Sequence, residues 1–276
     1  MTRNTFYADH WRVIDTERFA RYERMFMWRE GHAALLEPLD LRSGSRVLDY
    51  GCGPGFVTEG IAGIVGSTGH AYGVDLNPRF VANATDRAGE SAHVSFHLVD
   101  GNRIPLADGT VDRLLCKNVL EYVADVKTTL AEFHRVLEPG GRLLLIDSDW
   151  SFVVVEPWGA ARTRRFFDAA SPAFKEPEIG RKLRGHLLGA GFGDVEVNVQ
   201  AGVDTEGGSL LVLRNMASYA RNFDAIPPDE IDAMLAEAEA AAETGGYLFC
   251  LPQFLATAVR SDLERRVEAR PRVMDR

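Results

Sequence analysis

Val47-Leu48-Asp49-Tyr50-Gly51-Cys52-Gly53-Pro54-Gly55 joins an apolar run to three glycines at alternate positions. The apolar residues that follow it lie on one helical face. Glycine reaches backbone conformations that other residues avoid, and without a Cβ atom it lets a ligand lie against the main chain. The first helical turn adds unpaired N–H groups. This segment therefore predicts a strand, a ligand-binding turn and a helix.

A second apolar run ends in an acidic residue twenty positions after Gly55 (75 − 55). This run, His70-Ala71-Tyr72-Gly73-Val74, is followed by Asp75. A carboxylate at the end of a second strand can accept hydrogen bonds from both hydroxyls of a ribose. The two segments together predict a site for a ligand that contains a nucleoside.

The composition is that of an ordinary folded protein, with 46% hydrophobic and 26% charged residues among 276. This length suffices for one α/β domain with helical additions. A net charge of −9 argues against a nucleic-acid partner, because phosphate contacts need clustered lysine and arginine. No apolar run approaches the roughly 20 residues of a membrane span, and the first residues lack the apolar core of a signal peptide. We expect a cytoplasmic protein that acts on a small molecule, with no membrane partner.

The three cysteines are far apart in sequence, at Cys52, Cys116 and Cys250. They form no Cys-x-x-Cys pair and have no histidine at the spacing of a zinc site. Free cysteine is usually a small buried residue. We therefore expect no disulfide and no metal.

Five short apolar runs alternate with segments long enough for helices. The runs cover residues 46–50, 70–75, 94–99, 112–116 and 142–147. This alternation predicts an α/β fold, a doubly wound, Rossmann-like and mostly parallel sheet with helices on both faces. Ligands bind beyond the carboxyl ends of the strands in such sheets. The residues that end each run are therefore candidate site residues.

Asp100 and Gly101 end the third run, and Asn118 ends the fourth. An Asp-Gly pair alone is most often a turn. As the third strand-end acid in a series, however, Asp100 could accept a hydrogen bond from the amine of an adenine, with the backbone of Gly101 close by. Asn118 is predicted to lie near the first glycine turn.

Together these motifs resemble those of class I S-adenosylmethionine-dependent methyltransferases. The resemblance is carried by V-L-D-Y-G-C-G-P-G at 47–55, G-V-D-L at 73–76 and L-E-P-G-G-R-L at 137–143. Within the class, the chain is most similar to the ubiquinone and menaquinone biosynthesis methyltransferases, over about residues 40–260. The resemblance implies a seven-stranded sheet whose last strand is antiparallel. It also implies S-adenosyl-L-methionine as the cofactor and an O, N or C atom of a small molecule as the methyl acceptor.

The resemblance further implies a role for each strand-end residue. The glycine turn, with Asp49 behind it, would hold the methionine end of the cofactor, and Asp75 would hold the ribose. Leu76 would lie against the adenine and the Asn118 region would face the methionine. The expected cofactor-binding residues are Asp49, Gly51, Gly53, Gly55, Asp75, Leu76, Asp100, Gly101 and Asn118.

Two alternatives remain open. One is a nicotinamide-dependent oxidoreductase on a related fold, which the glycine spacing disfavours. A dinucleotide-binding turn places its third glycine three residues after the second, whereas Gly53 plus three is the bulky Phe56. The other is a non-catalytic protein that binds S-adenosylmethionine or uses the pocket for another chemistry. The oligomeric state, monomer or homodimer, does not follow from the sequence.

The N-terminal segment, residues 1–38, is expected to cover the main domain. Aromatic residues at 4–15 precede a predicted helix that runs from Thr16 to about Glu37 and stops at Pro38. This segment is predicted to be either a lid over a pocket or a buttress on an edge of the sheet.

The remaining boundaries complete the predicted organisation. The main domain should span residues 39–260, with a helical insertion at about 205–245 before a last strand at 247–259. The strand at 195–199 should pair near the fifth strand. The charged residues 261–276 should form a flexible tail.

Methyl transfer from a sulfonium is an in-line displacement, which requires positioning of the nucleophile and exclusion of water. A general base is needed only if the nucleophile arrives protonated. His10 is the first candidate, because its unperturbed pKa lies near neutrality. Tyr7 and Asp149 are the other two candidates. For each of the three, a packing or surface role is at least as common.

Overall fold

A computed structural model describes residues 5–29, 31–99, 101 and 103–261. Its strands are β1 (Arg46–Tyr50), β2 (His70–Asp75), β3 (Val94–Leu98), β4 (Val111–Lys117), β5 (Leu137–Ser148), β6 (Val154–Glu156), β7 (Phe192–Gln200), β8 (Val203–Asp204), β9 (Leu248–Cys250) and β10 (Gln253–Arg260). Its α-helices are α1 (Phe6–Arg12), α2 (Thr16–Phe26), α3 (Gly31–Leu36), α4 (Phe56–Val65), α5 (Pro78–Ala88), α6 (Val126–Val136), α7 (Gly159–Ala170), α8 (Ile179–Gly189), α9 (Leu210–Asn222) and α10 (Pro228–Thr244).

Seven of these strands form the main sheet, in the spatial order β3-β2-β1-β4-β5-β10-β7. Strands β1 to β5 are parallel, whereas β10 runs antiparallel to both of its neighbours. The order of the strands reverses between β1 and β4, which is where a doubly wound sheet opens a crevice for a ligand. The predicted fold class, including the antiparallel last strand, is confirmed.

Helices cover both faces of this sheet and bury its apolar side chains. Helices α6 and α8 close one core, and α3, α4 and α5 contribute to the other. The consecutive residues Leu143, Leu144, Leu145 and Ile146 of β5 all have no solvent exposure. A strand covered on both faces is apolar at every position rather than at alternate ones, which explains why the fifth run was recognisable in the sequence.

The last predicted strand differs from expectation. The predicted strand at 247–259 is divided by Leu251 and Pro252 into β9 and β10. Proline has no N–H to donate to a sheet, so the pairing is interrupted there. Strand β9 joins a separate small sheet of order β6-β9-β8, and β10 lies between β5 and β7. The strand at 195–199 lies within β7, which pairs with β10 and is thus near the fifth strand, as expected.

The single N-terminal helix predicted from Thr16 to about Glu37 is wrong. Helix α2 begins after Asp15, whose side chain accepts a hydrogen bond from the backbone of Arg18 at 2.8 Å, and it ends at Phe26. The chain then extends before α3. The ring of Trp28 occupies the space above Gly60 of α4, where a Cβ atom would lie 2.3 Å from it. This contact with a distant helix accounts for a break that helical periodicity alone did not reveal.

A second hydrophobic core lies outside the main sheet. Helices α7, α9 and α10 pack with β6 and β9 around buried aromatic rings, including Phe166, Tyr219 and Tyr247. Helices α9 and α10 occupy the predicted insertion. We call these helices, together with the small sheet, the helical cap. The predicted domain boundaries stay predictions, and the predicted tail at 262–276 lies outside the described residues.

Candidate functional site

A cavity of about 230 Å³ lies at the carboxyl ends of β1, β2 and β4. It sits at the point where the strand order reverses, as the doubly wound topology predicts. The turns that follow β1, β2 and β4 form its floor. Residues of α1 and α2 form its roof.

The glycine turn after β1 requires glycine for two separate reasons. Gly51, Gly53 and Gly55 have φ angles of +75°, +53° and +86°, in the left-handed region that other residues rarely adopt. A Cβ atom on Gly51 would also lie 2.3 Å from the side chain of Val119. Gly51 and Gly53 line the cavity, whereas Gly55 lies outside its lining and packs against Phe96 of β3. The turn thus exposes main chain to the cavity and anchors α4 against the sheet.

Asp75 connects the end of β2 to this turn. Its carboxylate accepts hydrogen bonds from the backbone N–H groups of Gly53 at 2.9 Å and Asn77 at 2.8 Å. Burial raises the pKa of Asp75 to about 6, although these two donors oppose the shift. A carboxylate has about four acceptor sites, and Asp75 lines the cavity. It therefore has capacity left to accept hydrogen bonds from a ligand hydroxyl.

Asp49 lies beneath the glycine turn and is almost fully buried. The hydroxyl of Thr58 donates to its carboxylate at 2.6 Å. Burial raises the pKa of Asp49 to about 6, and the nearby charge of Asp75 adds to the increase. Asp49 thus holds the first turn of α4 and leaves an acidic group at the cavity wall.

Asn118 adopts a left-handed conformation at the end of β4, with φ at +53°. Its backbone N–H donates to the carbonyl of Ile146 at 2.7 Å, which keeps the chain on the sheet. Its side-chain Oδ1 is buried and has no hydrogen-bond partner among the described residues. Since buried polar atoms are nearly always paired, this oxygen at the cavity wall is available to a ligand donor.

Lys117 is a cavity residue that the sequence analysis did not select. Its ammonium group makes no hydrogen bond or ion pair with any residue that the structure describes. Burial lowers its pKa, whereas the carboxylates of Asp49, Asp147 and Glu121 favour the charged form. Its position in the sequence could have identified it, because Lys117, like Asp75, is the last residue of an apolar run and therefore lies at the end of a strand.

The adenine-side candidates are only partly described. Leu76 and Gly101 line the cavity together with Val99. Gly101 has a φ angle of +75°, and a Cβ atom there would meet nothing within 4 Å. Asp100 lies outside the described residues, so its predicted contact stays a prediction.

The N-terminal segment forms the roof of the cavity and also packs against the main domain. Ala8, Trp11 and Arg12 of the first helix, with Phe26 of α2, line the cavity from above. The carbonyl of Trp11 accepts a hydrogen bond from the side chain of Asn77 at 2.6 Å. Helix α2 packs on α5 through ring contacts. The segment therefore has the position of a lid and the contacts of a buttress.

The hydroxyl of Tyr22 ties this roof to the helical cap. It donates to Oδ1 of Asn215 at 3.2 Å and lies 3.2 Å from the hydroxyl of Tyr219. It also accepts a hydrogen bond from Arg18 at 3.2 Å. Tyr22 has no solvent exposure, so water cannot replace these partners. A single hydroxyl thus joins α2 to α9.

Tyr22→Phe is therefore expected to lower the free energy of unfolding by about 1–3 kcal/mol, because it leaves buried partners unsatisfied. Urea denaturation followed by circular dichroism measures the change. Tyr7→Phe is the matched control, since the hydroxyl of Tyr7 makes no hydrogen bond to the described residues. Equal stability of the two variants would contradict a linking role for Tyr22.

His10 lies outside the cavity lining. It has no solvent exposure, and its ring stacks on Phe6 and contacts the rings of Trp11, Tyr122 and Tyr219. Nδ1 is hydrogen-bonded to the carbonyl of Phe6. Burial lowers the pKa of His10 to about 4, so the ring is neutral at pH 7. The geometry gives His10 a packing role behind Trp11 and Tyr122.

Tyr7 and Asp149 also lie outside the lining of the cavity. The ring of Tyr7 faces the ammonium of Lys175, 5.3 Å from its centroid. Asp149 has no solvent exposure and forms an ion pair with Arg181. It also accepts hydrogen bonds from the backbone and hydroxyl of Ser151. Both carboxylate oxygens are thus occupied. The assignment of a base to Tyr7, His10 or Asp149 stays a prediction that the geometry does not favour.

In the part of the chain that the structure describes, no group of three or more His, Cys, Asp or Glu side chains is arranged to hold a metal ion. None of the helices in that part combines the length and the apolar character that a membrane span requires.

Comparison with known proteins identifies the family of the central region. The family model of the methyltransferase domain matches residues 48–145, which run from β1 into β5. Methyltransferase GfsG of Streptomyces halstedii is 37% identical over 114 residues, which are 41% of each protein. The ubiquinone/menaquinone biosynthesis C-methyltransferase UbiE of Saccharophagus degradans is 33% identical over 115 residues, 41% of this chain and 46% of that protein. The chain thus spans less than half the length of these two relatives.

A solved structure extends the likeness to most of the chain. Phosphoethanolamine N-methyltransferase 2 of Haemonchus contortus, in complex with phosphomonomethylethanolamine and S-adenosylhomocysteine, superposes with a TM-score of 0.62. The match covers 95% of this chain and 61% of that chain at 16% sequence identity, which shows a shared fold. The central region, residues 48–145, therefore matches the methyltransferase domain family, and the ubiquinone and menaquinone biosynthesis enzymes are among its relatives.

Proposed function

We propose that the protein transfers the methyl group of S-adenosyl-L-methionine to an O, N or C atom of a small molecule. The observation that carries this proposal is the cavity at the reversal of strand order, which is lined by Asp75 and by Oδ1 of Asn118, an oxygen that is unpaired among the described residues. The glycine turn supports it, because its backbone approaches the same space without Cβ atoms. These residues fit the cofactor of the methyltransferase domain.

We assign the parts of the cofactor as follows. Gly51 and Gly53 would lie along its methionine end, and Oδ1 of Asn118 would accept a hydrogen bond from the α-amino group. The carboxylate of Asp75 would accept hydrogen bonds from the ribose hydroxyls. Leu76 would pack on the adenine. The other proposed cofactor-binding residues are Asp49, Gly55, Asp100 and Gly101.

The cofactor supplies a methyl group on a positively charged sulfur, and the chain positions the acceptor and excludes water. Trp11 and Phe26 in the roof provide apolar surface over the cavity, and Tyr122 faces the same space. A nucleophile that arrives as a neutral amine or as an anion would need no base, which agrees with the absence of Tyr7, His10 and Asp149 from the described lining.

Binding measurements separate this proposal from the oxidoreductase alternative. Calorimetric titration with S-adenosylmethionine is expected to show one site per chain, and fluorescence titration with reduced nicotinamide cofactor is expected to show no binding. The opposite pair of results would overturn the proposal.

Product analysis then separates an enzyme from a non-catalytic binder. We expect radiolabelled methyl from the cofactor to appear in at least one member of a panel of small phenols, amines and quinols. Full cofactor occupancy without labelled product from a broad metabolite panel would favour a binding protein.

We further propose a cytoplasmic protein that is a monomer or homodimer and has neither a nucleic-acid nor a membrane partner, on the grounds of its charge and composition.

A further inference from the structure

Lys117 is a cation at the cavity wall that makes no hydrogen bond to any of the residues that the structure describes. It is the last residue of β4 and is half-buried against the cavity. An ammonium group has three N–H donors, and this one has no acceptor among the described residues. Removing a charge from water is costly unless the charge finds a partner. The side chain therefore lacks an anionic partner at this point of the cavity.

The nearby acids do not supply that partner, because none of them forms a hydrogen bond or ion pair with Lys117 in the described structure, and each accepts a hydrogen bond from another donor. Asp49 accepts from the hydroxyl of Thr58. Asp147 accepts from the backbone N–H groups of Leu120 at 3.0 Å and Ser148 at 3.1 Å. Glu121 accepts from the indole of Trp150 at 2.7 Å. These acids balance the charge of Lys117 at a distance and leave its N–H groups free for a ligand.

We propose that Lys117 binds the α-carboxylate of S-adenosylmethionine. This inference rests on the proposed function and goes beyond it by assigning the one anionic group of the cofactor. Lys117 adjoins Asn118, to which we assign the α-amino group. Two consecutive residues at the end of β4 would then bind the two charged groups of the amino-acid moiety.

Arg12 is the other cation in the described lining, and two properties make it the weaker candidate. Arg12 is on the roof and is exposed to solvent. An exposed charge is screened by water, whereas a half-buried one interacts more strongly with a ligand anion. Arg12→Gln is therefore a matched control, because it removes a cation from the same cavity.

Decarboxylated S-adenosylmethionine provides the direct test, because it lacks only the group in question. The wild-type protein is expected to bind S-adenosylmethionine about tenfold to a hundredfold more tightly than the decarboxylated form, the range of one charge-assisted hydrogen bond. Lys117→Met should lose that preference while its affinity for the decarboxylated form stays within about twofold of wild type. Lys117→Arg should keep most of the preference, and Arg12→Gln should keep all of it. Calorimetry measures every affinity.

Each other outcome overturns the assignment. If Lys117→Met lowers the affinity for both ligands equally, the lysine acts only by balancing the charge of the buried acids. If Arg12→Gln instead loses the preference for S-adenosylmethionine over the decarboxylated form, the α-carboxylate binds at the roof. Equal affinity of the wild-type protein for the two ligands would exclude any cation at the carboxylate, and this comparison requires no variant. Failure of the wild-type protein to bind S-adenosylmethionine at all would overturn the proposed function itself.

Discussion

Asp75→Ala is expected to weaken S-adenosylmethionine binding at least a hundredfold. Two hydrogen bonds from ribose hydroxyls to a carboxylate would be lost, and hydrogen bonds to charged groups each contribute about 1.5–3 kcal/mol. The variant also releases the backbone N–H groups of Gly53 and Asn77, which the carboxylate holds at 2.9 and 2.8 Å. The glycine turn would therefore lose an anchor as well as the ligand contact. Isothermal titration calorimetry measures the effect.

Asp204→Ala is a suitable control for this substitution. Asp204 also accepts hydrogen bonds from two backbone N–H groups, those of Glu206 at 3.0 Å and Ser209 at 2.6 Å. It lies in the small sheet of the cap and does not line the cavity. Its removal should leave cofactor affinity unchanged. Unchanged affinity in Asp75→Ala would refute the ribose assignment.

The pH dependence of binding gives a second readout for the same carboxylate. Burial raises the pKa of Asp75 to about 6. The ionised form is the better acceptor for ribose hydroxyls, so cofactor affinity should be full near pH 8 and fall as the pH drops through 6. Asp49, with a pKa of about 6, would contribute in the same direction. Constant affinity between pH 8 and pH 5 would contradict this role for Asp75.

Gly55→Ala is expected to destabilise the protein strongly, through two separate effects. The left-handed conformation of Gly55 costs an alanine about 1–2 kcal/mol. A Cβ atom there would also lie 2.7 Å from the ring of Phe96 and 2.8 Å from the Cβ of Ala84. Overpacking of a buried site costs about 1–3 kcal/mol more. The combined loss, about 2–5 kcal/mol of unfolding free energy, is measurable by urea denaturation.

Gly245→Ala isolates the conformational part of that loss. Gly245 has φ at +80° and ψ at 11°, close to the values of +86° and 0° at Gly55. A Cβ atom on Gly245 would meet nothing within 4 Å. This variant should lose only about 1–2 kcal/mol. Equal losses at the two positions would show that Phe96 and Ala84 move aside without cost.

The sequence predicts the strands and the strand-end residues well because both signals are local. An apolar run followed by an acid or a glycine is visible within ten residues, and the parallel topology brings the ends of these runs together. Asp49, Asp75 and Asn118 therefore reach one cavity as expected. Lys117 is not predicted, because an ammonium group cannot accept hydrogen bonds from a ribose or an adenine.

The features that the sequence did not predict depend on contacts between distant segments. The break between α2 and α3 accompanies the packing of Trp28 on Gly60. The burial of His10 depends on Tyr219, which is about two hundred positions away in the chain. A pattern within a short stretch of sequence does not reveal contacts between residues so far apart in the chain. His10 was a candidate base because the unperturbed pKa of histidine lies near neutrality. In the folded protein, burial lowers the pKa of His10 to about 4.

The position of β10 between β5 and β7 has a consequence for synthesis of the chain. Strands β1 to β5 follow one another within residues 46–148 and need only one another to form a parallel sheet. Strand β7 has no partner in that sheet until Gln253–Arg260 leaves the ribosome. Domains begin to fold during synthesis, and contacts distant in sequence form late. The five strands whose ends bear the cavity can therefore assemble on the ribosome, whereas β7 and β10 can join the sheet only after the last described strand has been synthesised.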